Sequence, residues 1–273
     1  MMKNVYILSL LTFREAFSRK IFIFFFGVSS FVLLLFSILF LTISPESFSD
    51  ITTNSVKSDS FNLTIAHGIK LFITIPLFGG GLFISIFSVS NFIPLMIEKG
   101  SIDLLISKPV SRVQIILGKY FGGTAMVFVN IAYLIIGIWI LIGLKFGDWD
   151  TSFLLTIFTI TFAFALLYTL VILLGIVTKS SVISMIVTYL IFFIISPILA
   201  SRETIFTFIN SNVLKSISEF LYYIIPQTSE LSTITSDLAS GNRSLNYEPL
   251  ITSALLMVII LTSAILIFRR KDY

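Results

Sequence analysis

The sequence predicts an all-α polytopic membrane protein with six transmembrane helices, on three observations. Of its 273 residues, 56% are hydrophobic and only 12% are charged, about half the charged share of an ordinary soluble domain. Mean hydropathy is +1.04. The apolar residues also collect into six uninterrupted stretches, each near the roughly 20 residues that a helix needs to cross a bilayer core. Inside that core every backbone N–H and C=O must be satisfied within its own segment, so these stretches are helices rather than open strands.

The stretches run over about 21–43, 69–97, 120–144, 153–178, 181–200 and 249–268 and make a single transmembrane domain, 1–273. Arg14, Arg19 and Lys20 precede the first, in the manner of a signal peptide. The stretch is too long for a signal h-region and has no small-residue cleavage site before Ser44-Pro45, so it is read as a retained span. Ahead of it, Val5 to Phe17 mixes Leu8, Leu11 and Phe17 with Arg14 and Glu15. That pattern fits an N-terminal interfacial helix on the cytoplasmic leaflet and equally the cytoplasmic end of a long first span.

An even number of spans puts both termini on one side. That side carries 12 of the 18 Lys and Arg residues, the other six lying opposite with ten of the 14 acids, so both termini are expected in the cytoplasm. Residues 44–68 read as a polar external loop, with His67 as an ordinary loop histidine. In 201–225, Ile205, Phe208, Ile209, Val213, Ile217, Phe220, Leu221 and Ile224 recur at helical spacing opposite Asn210, Asn212, Lys215 and Glu219. Lys215 and two Asn residues make a seventh span costly, and an external helix at the interface fits better. Residues 226–248 read as polar and turn-rich, leading to Pro249.

Several chemistries are absent. There is no cysteine and one histidine, which removes disulfides, thiolate chemistry and multi-histidine metal sites. No ionisable residue falls at the middle of a span, where ion-coupled carriers commonly place one. No phosphate-cradling loop is present, since Gly118-Lys119-Tyr120 lacks the earlier glycine and the following hydroxyl. No catalytic residue and no metal ligand is therefore assigned, and no nucleic-acid partner is expected. Pro76 with Gly79, Gly80 and Gly81 interrupts the second stretch. Close helix packing and a gate or kink are both open there.

The segment between the second and third spans is the most patterned: Glu98-Lys99-Gly100-Ser101-Ile102-Asp103-Leu104-Leu105-Ile106-Ser107-Lys108-Pro109-Val110-Ser111-Arg112. Ser101 can cap a short helix that Asp103 stabilises at its positive end, and Pro109 stops it. Ser111-Arg112-Val113-Gln114 is a capping-box pattern opening the next helix. Ile102, Leu105 and Ile106 form an apolar ridge between charged ends. Taken alone, the spacing also fits a plain cytoplasmic loop that obeys the charge rule.

The run Glu98-Lys99-Gly100, Leu104-Leu105, Ser107-Lys108-Pro109-Val110-Ser111-Arg112 and Gly118-Lys119 resembles the hallmark loop of type-2 ATP-binding-cassette (ABC) permeases. Arg14-Glu15 with Arg19-Lys20 resembles that family's amphipathic entry helix. Phe268-Arg269-Arg270-Lys271-Asp272 resembles its C-terminal tail, with Lys271 inserted. Within the family the wording is most similar to the multicopper-enzyme and nitrous oxide reductase maturation permease group. The resemblance implies a non-catalytic permease subunit in a bacterial cytoplasmic (inner) membrane, paired with a second copy and two ABC ATPase subunits that bind ATP and Mg. It also implies a coupling helix in the 98–112 loop. Glu98, Gly100, Ile102, Leu104, Leu105, Ile106, Pro109 and Arg112 are its candidate docking residues, with Glu98 and Arg112 setting polar register and Lys108 and Lys119 touching lipid headgroups. The 201–248 region would face an external accessory protein. The competing expectations are an ATP-independent secondary carrier or channel, and a membrane anchor for an external partner.

Overall fold

The computed structural model describes residues 2–18, 20–42, 58–97, 110–207, 212–242 and 246–271. These are almost entirely helical, and six helical segments among them are long and apolar enough to cross a membrane. The chain is an all-α, multi-pass membrane protein.

The N-terminal helix α1 (Met2–Ser18) is separate from the first span, α2 (Ile21–Thr42). Lys20, at φ 60°, breaks the chain between them. This decides between the two readings of Val5 to Phe17. The segment is its own helix and lies against the third span, with Tyr6, Ile7, Leu10, Leu11 and Phe17 on its exposed side. Two glycines make the approach possible. A Cβ on Gly118 would sit 2.4 Å from Leu8 Cβ, and one on Gly122 would sit 2.6 Å from Thr12 Cβ and 2.7 Å from the Ser9 carbonyl oxygen. Gly122→Leu is therefore expected to cost about 1–3 kcal/mol of overpacking and to lift α1. Amide hydrogen exchange in residues 2–18 should accelerate, and unchanged exchange would show that the close approach is not what holds α1.

The second span begins earlier than the hydropathy suggested. Helix α3 (Ser58–Pro76) runs into a π-helical segment, Leu77–Gly81, then α4 (Leu82–Val89) and α5 (Phe92–Ile97). The third span is the 35-residue α6 (Arg112–Phe146), capped at Ser111 and ended by Gly147 at φ 71°. The fourth, α7 (Ser152–Thr178), is apolar on every face and largely buried, as a central helix must be. It packs against α4, α5 and α6 and against the helical residues 181–190, 228–239 and 248–270. The fifth span is α8 (Ser181–Leu190), a second π-helical segment, Ile191–Ile195, and α9 (Ser196–Ala200).

Among the described residues three helices follow before the last span: α10 (Arg202–Phe206), α11 (Asn212–Ile224) and α12 (Thr228–Ala239). Helix α11 exposes Val213, Leu214, Ile217, Phe220 and Tyr223, as expected of an interfacial helix. Helix α12 corrects the turn-rich reading of 226–248. Its Leu231, Ile234 and Leu238 are buried, and it packs against α3 and α7. Thr235 Oγ1 donates to Thr159 Oγ1 on α7 at 2.9 Å. The region is polar by composition because Ser and Thr satisfy its tight helix contacts. Around α11, Arg202 stacks 3.5 Å from the Tyr222 ring centre. Burial pushes the Tyr222 phenol up to about 12, which keeps it protonated and donating to Glu230 at 3.3 Å. The sixth span is α13 (Glu248–Arg270).

Candidate functional site

Glu98, Gly100, Ile102, Leu104, Leu105, Ile106 and Pro109 lie outside the described residues. What the structure gives is the frame around them. Ile97, which ends α5, is buried, and the chain is described again from Val110, with Ser111 exposed at the start of α6. There the expected capping box is formed. Ser111 N donates to Gln114 Oε1 at 3.0 Å, and Gln114 N donates to Ser111 Oγ at 3.3 Å. A reciprocal cap fixes the entry angle of the chain, so the loop's end is rigidly joined to a 35-residue helix.

Arg112 turns toward the C-terminal tail. Its Nη1 donates to the carbonyl oxygens of Phe268 at 3.1 Å, Arg269 at 3.3 Å and Lys271. These carbonyls close α13, where a cation is favoured by the helix dipole and by unpaired acceptors. Lys271 acts the same way one helix further on. Its Nζ donates to Ile176 O at 2.6 Å and Val177 O at 3.3 Å, at the end of α7. The residue that departs from the tail pattern thus ties the last span to the fourth.

The N-terminal helix closes the block. Glu15 pairs with Lys119 on α6, whose ammonium also lies 5.6 Å from the Phe92 ring centre. Tyr168 of α7 donates its hydroxyl to the Lys119 carbonyl at 3.3 Å. Lys119 therefore has protein partners where lipid headgroups were expected. The ends of α1, α6, α7 and α13 form one cross-tied layer beside the exit of the patterned loop.

The expected interruption of the second span is present as well. Pro76 cannot donate into the helix, and the π-helical Leu77–Gly81 segment follows it directly. π-bulges frequently sit at functional sites. The second π-helical segment faces it. Phe78 and Phe192 have ring centres 6.1 Å apart, Phe83 stacks on Tyr189 at 4.4 Å, and Tyr189 donates to Phe83 O at 2.7 Å. No glycine marks this second segment, and Pro197 lies beyond it, so nothing in the sequence singled it out.

At the opposite end of the spans, Lys70 and Asp148 form a buried ion pair at 2.6 Å, exposed by 0% and 6%. Lys70 is one of the six basic residues that the sequence places on the side opposite the termini. It is enclosed because α3 starts a dozen residues before it. Asp148 Oδ1 accepts from Asp150 N at 3.1 Å, and Trp139 Nε1 donates to Asp150 O at 3.1 Å. Trp149 lies across Gly143, where a Cβ would come within 2.7 Å of its ring. His67 and Asp150 both border Gly241, which ends α12 at φ 79°.

Residues 21–273 match the family model described as ABC-2 family transporter protein. The chain belongs to the ABC-2 transporter family. The match begins at the first span and covers every span described above. A comparison with curated proteins finds no match. As an ABC-2 membrane component, the chain is the non-catalytic transmembrane part of a transporter, and the family implies ATPase partners. Among the described residues, no cluster of three or more His, Asp or Glu side chains is placed to hold a metal ion.

Proposed function

We propose that this ABC-2 permease couples ATP hydrolysis by separate ATPase subunits to export of a substrate, or to force transmission, across a bacterial cytoplasmic membrane. Two copies of the chain pair with two ATPases, which bind ATP and Mg. Both termini and the 98–112 loop are cytoplasmic. Ile102, Leu104, Leu105 and Ile106 are buried in a groove of the ATPase, with Glu98 setting register and Gly100 and Pro109 shaping the turns. The 201–242 helices face outward, toward an accessory protein, in keeping with the resemblance to maturation permeases.

The observation that carries this reading is the cross-tied layer at the loop's exit. A displacement of the loop enters α6 through a rigid cap and is shared with α13 through Arg112, with α7 through Lys271 and with α1 through Glu15. Such a layer converts one docking contact into concerted movement of several spans. The π-helical segments in the second and fifth spans are places where those spans can bend.

Affinity purification of the tagged chain from its native membrane tests the proposal. Recovery of a Walker-motif ATPase in stoichiometric amount, with the chain dimeric, is the expected result. A monomer with no ATPase would return the chain to the carrier or anchor readings.

A further inference from the structure

A cleft of about 40 Å³ opens between the first and second spans, with the third as its floor. Its walls are Phe25 and Ser29 of α2, Leu77, Gly81 and Ser85 of the second span, and Val127, Asn130 and Ile131 of α6. On a rise of about 1.5 Å per residue, Asn130 lies roughly 27 Å from the start of α6, near the middle of that helix. The first span rests on the third through Phe26 against Tyr133 at 4.4 Å and Leu33 against Gly137.

The polar groups in this cleft are unbalanced. Asn130 is 6% exposed and its Nδ2 donates to Met126 O at 3.2 Å, yet its Oδ1 has no partner among the described residues. Ser85 spends its proton on the Gly81 carbonyl at 2.7 Å, inside the π-helical segment, and so offers lone pairs to the cleft. Ser29, 8% exposed, adds a hydroxyl. A buried acceptor without a donor is costly in a low-dielectric surrounding, and a hydroxyl entering the cleft would supply that donor. No charged side chain lines the cleft, so a charged group entering it would be desolvated without compensation. A water needs roughly 10–15 Å³ on this measure, which leaves room for a hydroxyl and its attached carbons but not for a large headgroup.

We propose that this cleft binds the hydroxyl end of an uncharged amphipathic molecule drawn from the bilayer, with Asn130 Oδ1 accepting its proton and Ser85 and Ser29 flanking it. The apolar body lies along Phe25, Leu77, Val127 and Ile131 and leaves between the first two spans. Binding of this kind requires neither nucleotide nor ATPase, so it stands or falls apart from the proposed function.

The test uses the chain purified with its partners retained, in phosphatidylcholine nanodiscs, with a diazirine-bearing diacylglycerol as probe. Photolabelling is expected in the peptides that carry residues 25–29, 77–85 or 127–131. It should fall about fivefold, as loss of one neutral hydrogen bond allows, for the acetylated analogue without a free hydroxyl. Asn130→Leu should produce a similar fall. Equal labelling by the two probes overturns the proposal, and because that arm uses the wild-type chain, a variant that fails to fold does not blunt the test. Undiminished labelling of a folded Asn130→Leu chain overturns it as well.

Discussion

Lys70→Met is expected to destabilise the end of the spans opposite the termini by about 3–5 kcal/mol, the usual cost of breaking a buried ion pair from one side. Asp148 would be left at 6% exposure with its partner gone. Its remaining contact, with Asp150 N, does not supply a counter-charge. Asp148→Asn should do comparable damage by stranding a fully buried ammonium. The double change Lys70→Met with Asp148→Leu removes both charges and is expected to recover most of the loss, because apolar replacements of buried pairs are commonly neutral or better. Thermal unfolding in detergent, with hydrogen exchange over 147–152, reads the difference. Two mild single variants would mean that water or lipid headgroups reach the pair.

Leu105→Asp is expected to abolish ATPase association and ATP-dependent transport while leaving the spans folded. A carboxylate on the docking ridge would have to be buried without a partner or would hold the two proteins apart. A penalty of about 3 kcal/mol weakens binding by more than a hundredfold. Lys108→Ala, which removes a charge from the end of the same sequence run, should have little effect, since a single surface charge contributes about 1 kcal/mol or less. Normal ATPase recovery with Leu105→Asp would move docking away from this ridge.

The spans were legible because hydropathy over some 20 residues is a strong signal, and Ser111-Arg112-Val113-Gln114 was legible because a capping box is local chemistry. Pro76 and Gly79 to Gly81 marked a break whose π-helical form only the structure could give. Arg112 was singled out, but its partners, the carbonyls of 268, 269 and 271, are more than 150 residues away. Main-chain acceptors carry no residue signature. Lys70 and Asp148 are 78 residues apart, and each sits beside a span boundary, where a charge reads as a boundary marker. Helix α12 was missed because Thr228, Ser229, Ser232, Thr233, Thr235 and Ser236 lower its apparent hydropathy, although Leu231, Ile234 and Leu238 carry the three- and four-residue spacing. The second π-helical segment left no sign, since Ile and Phe fill it as they fill the rest of the stretch.

The absence of cysteine allows the central proposal, that ATP closure on a partner chain moves the spans, to be measured directly. Spin labels at Phe31→Cys and Phe87→Cys, both exposed side chains on the first and second spans, report the opening between those spans by pulsed electron resonance. The complex would be spin-diluted with unlabelled copies. The expected result is a shifted distance distribution when ATP and vanadate trap the ATPase closed, and no shift in the same chain carrying Leu105→Asp. A distribution indifferent to nucleotide in an intact, hydrolytically active complex would contradict the coupling.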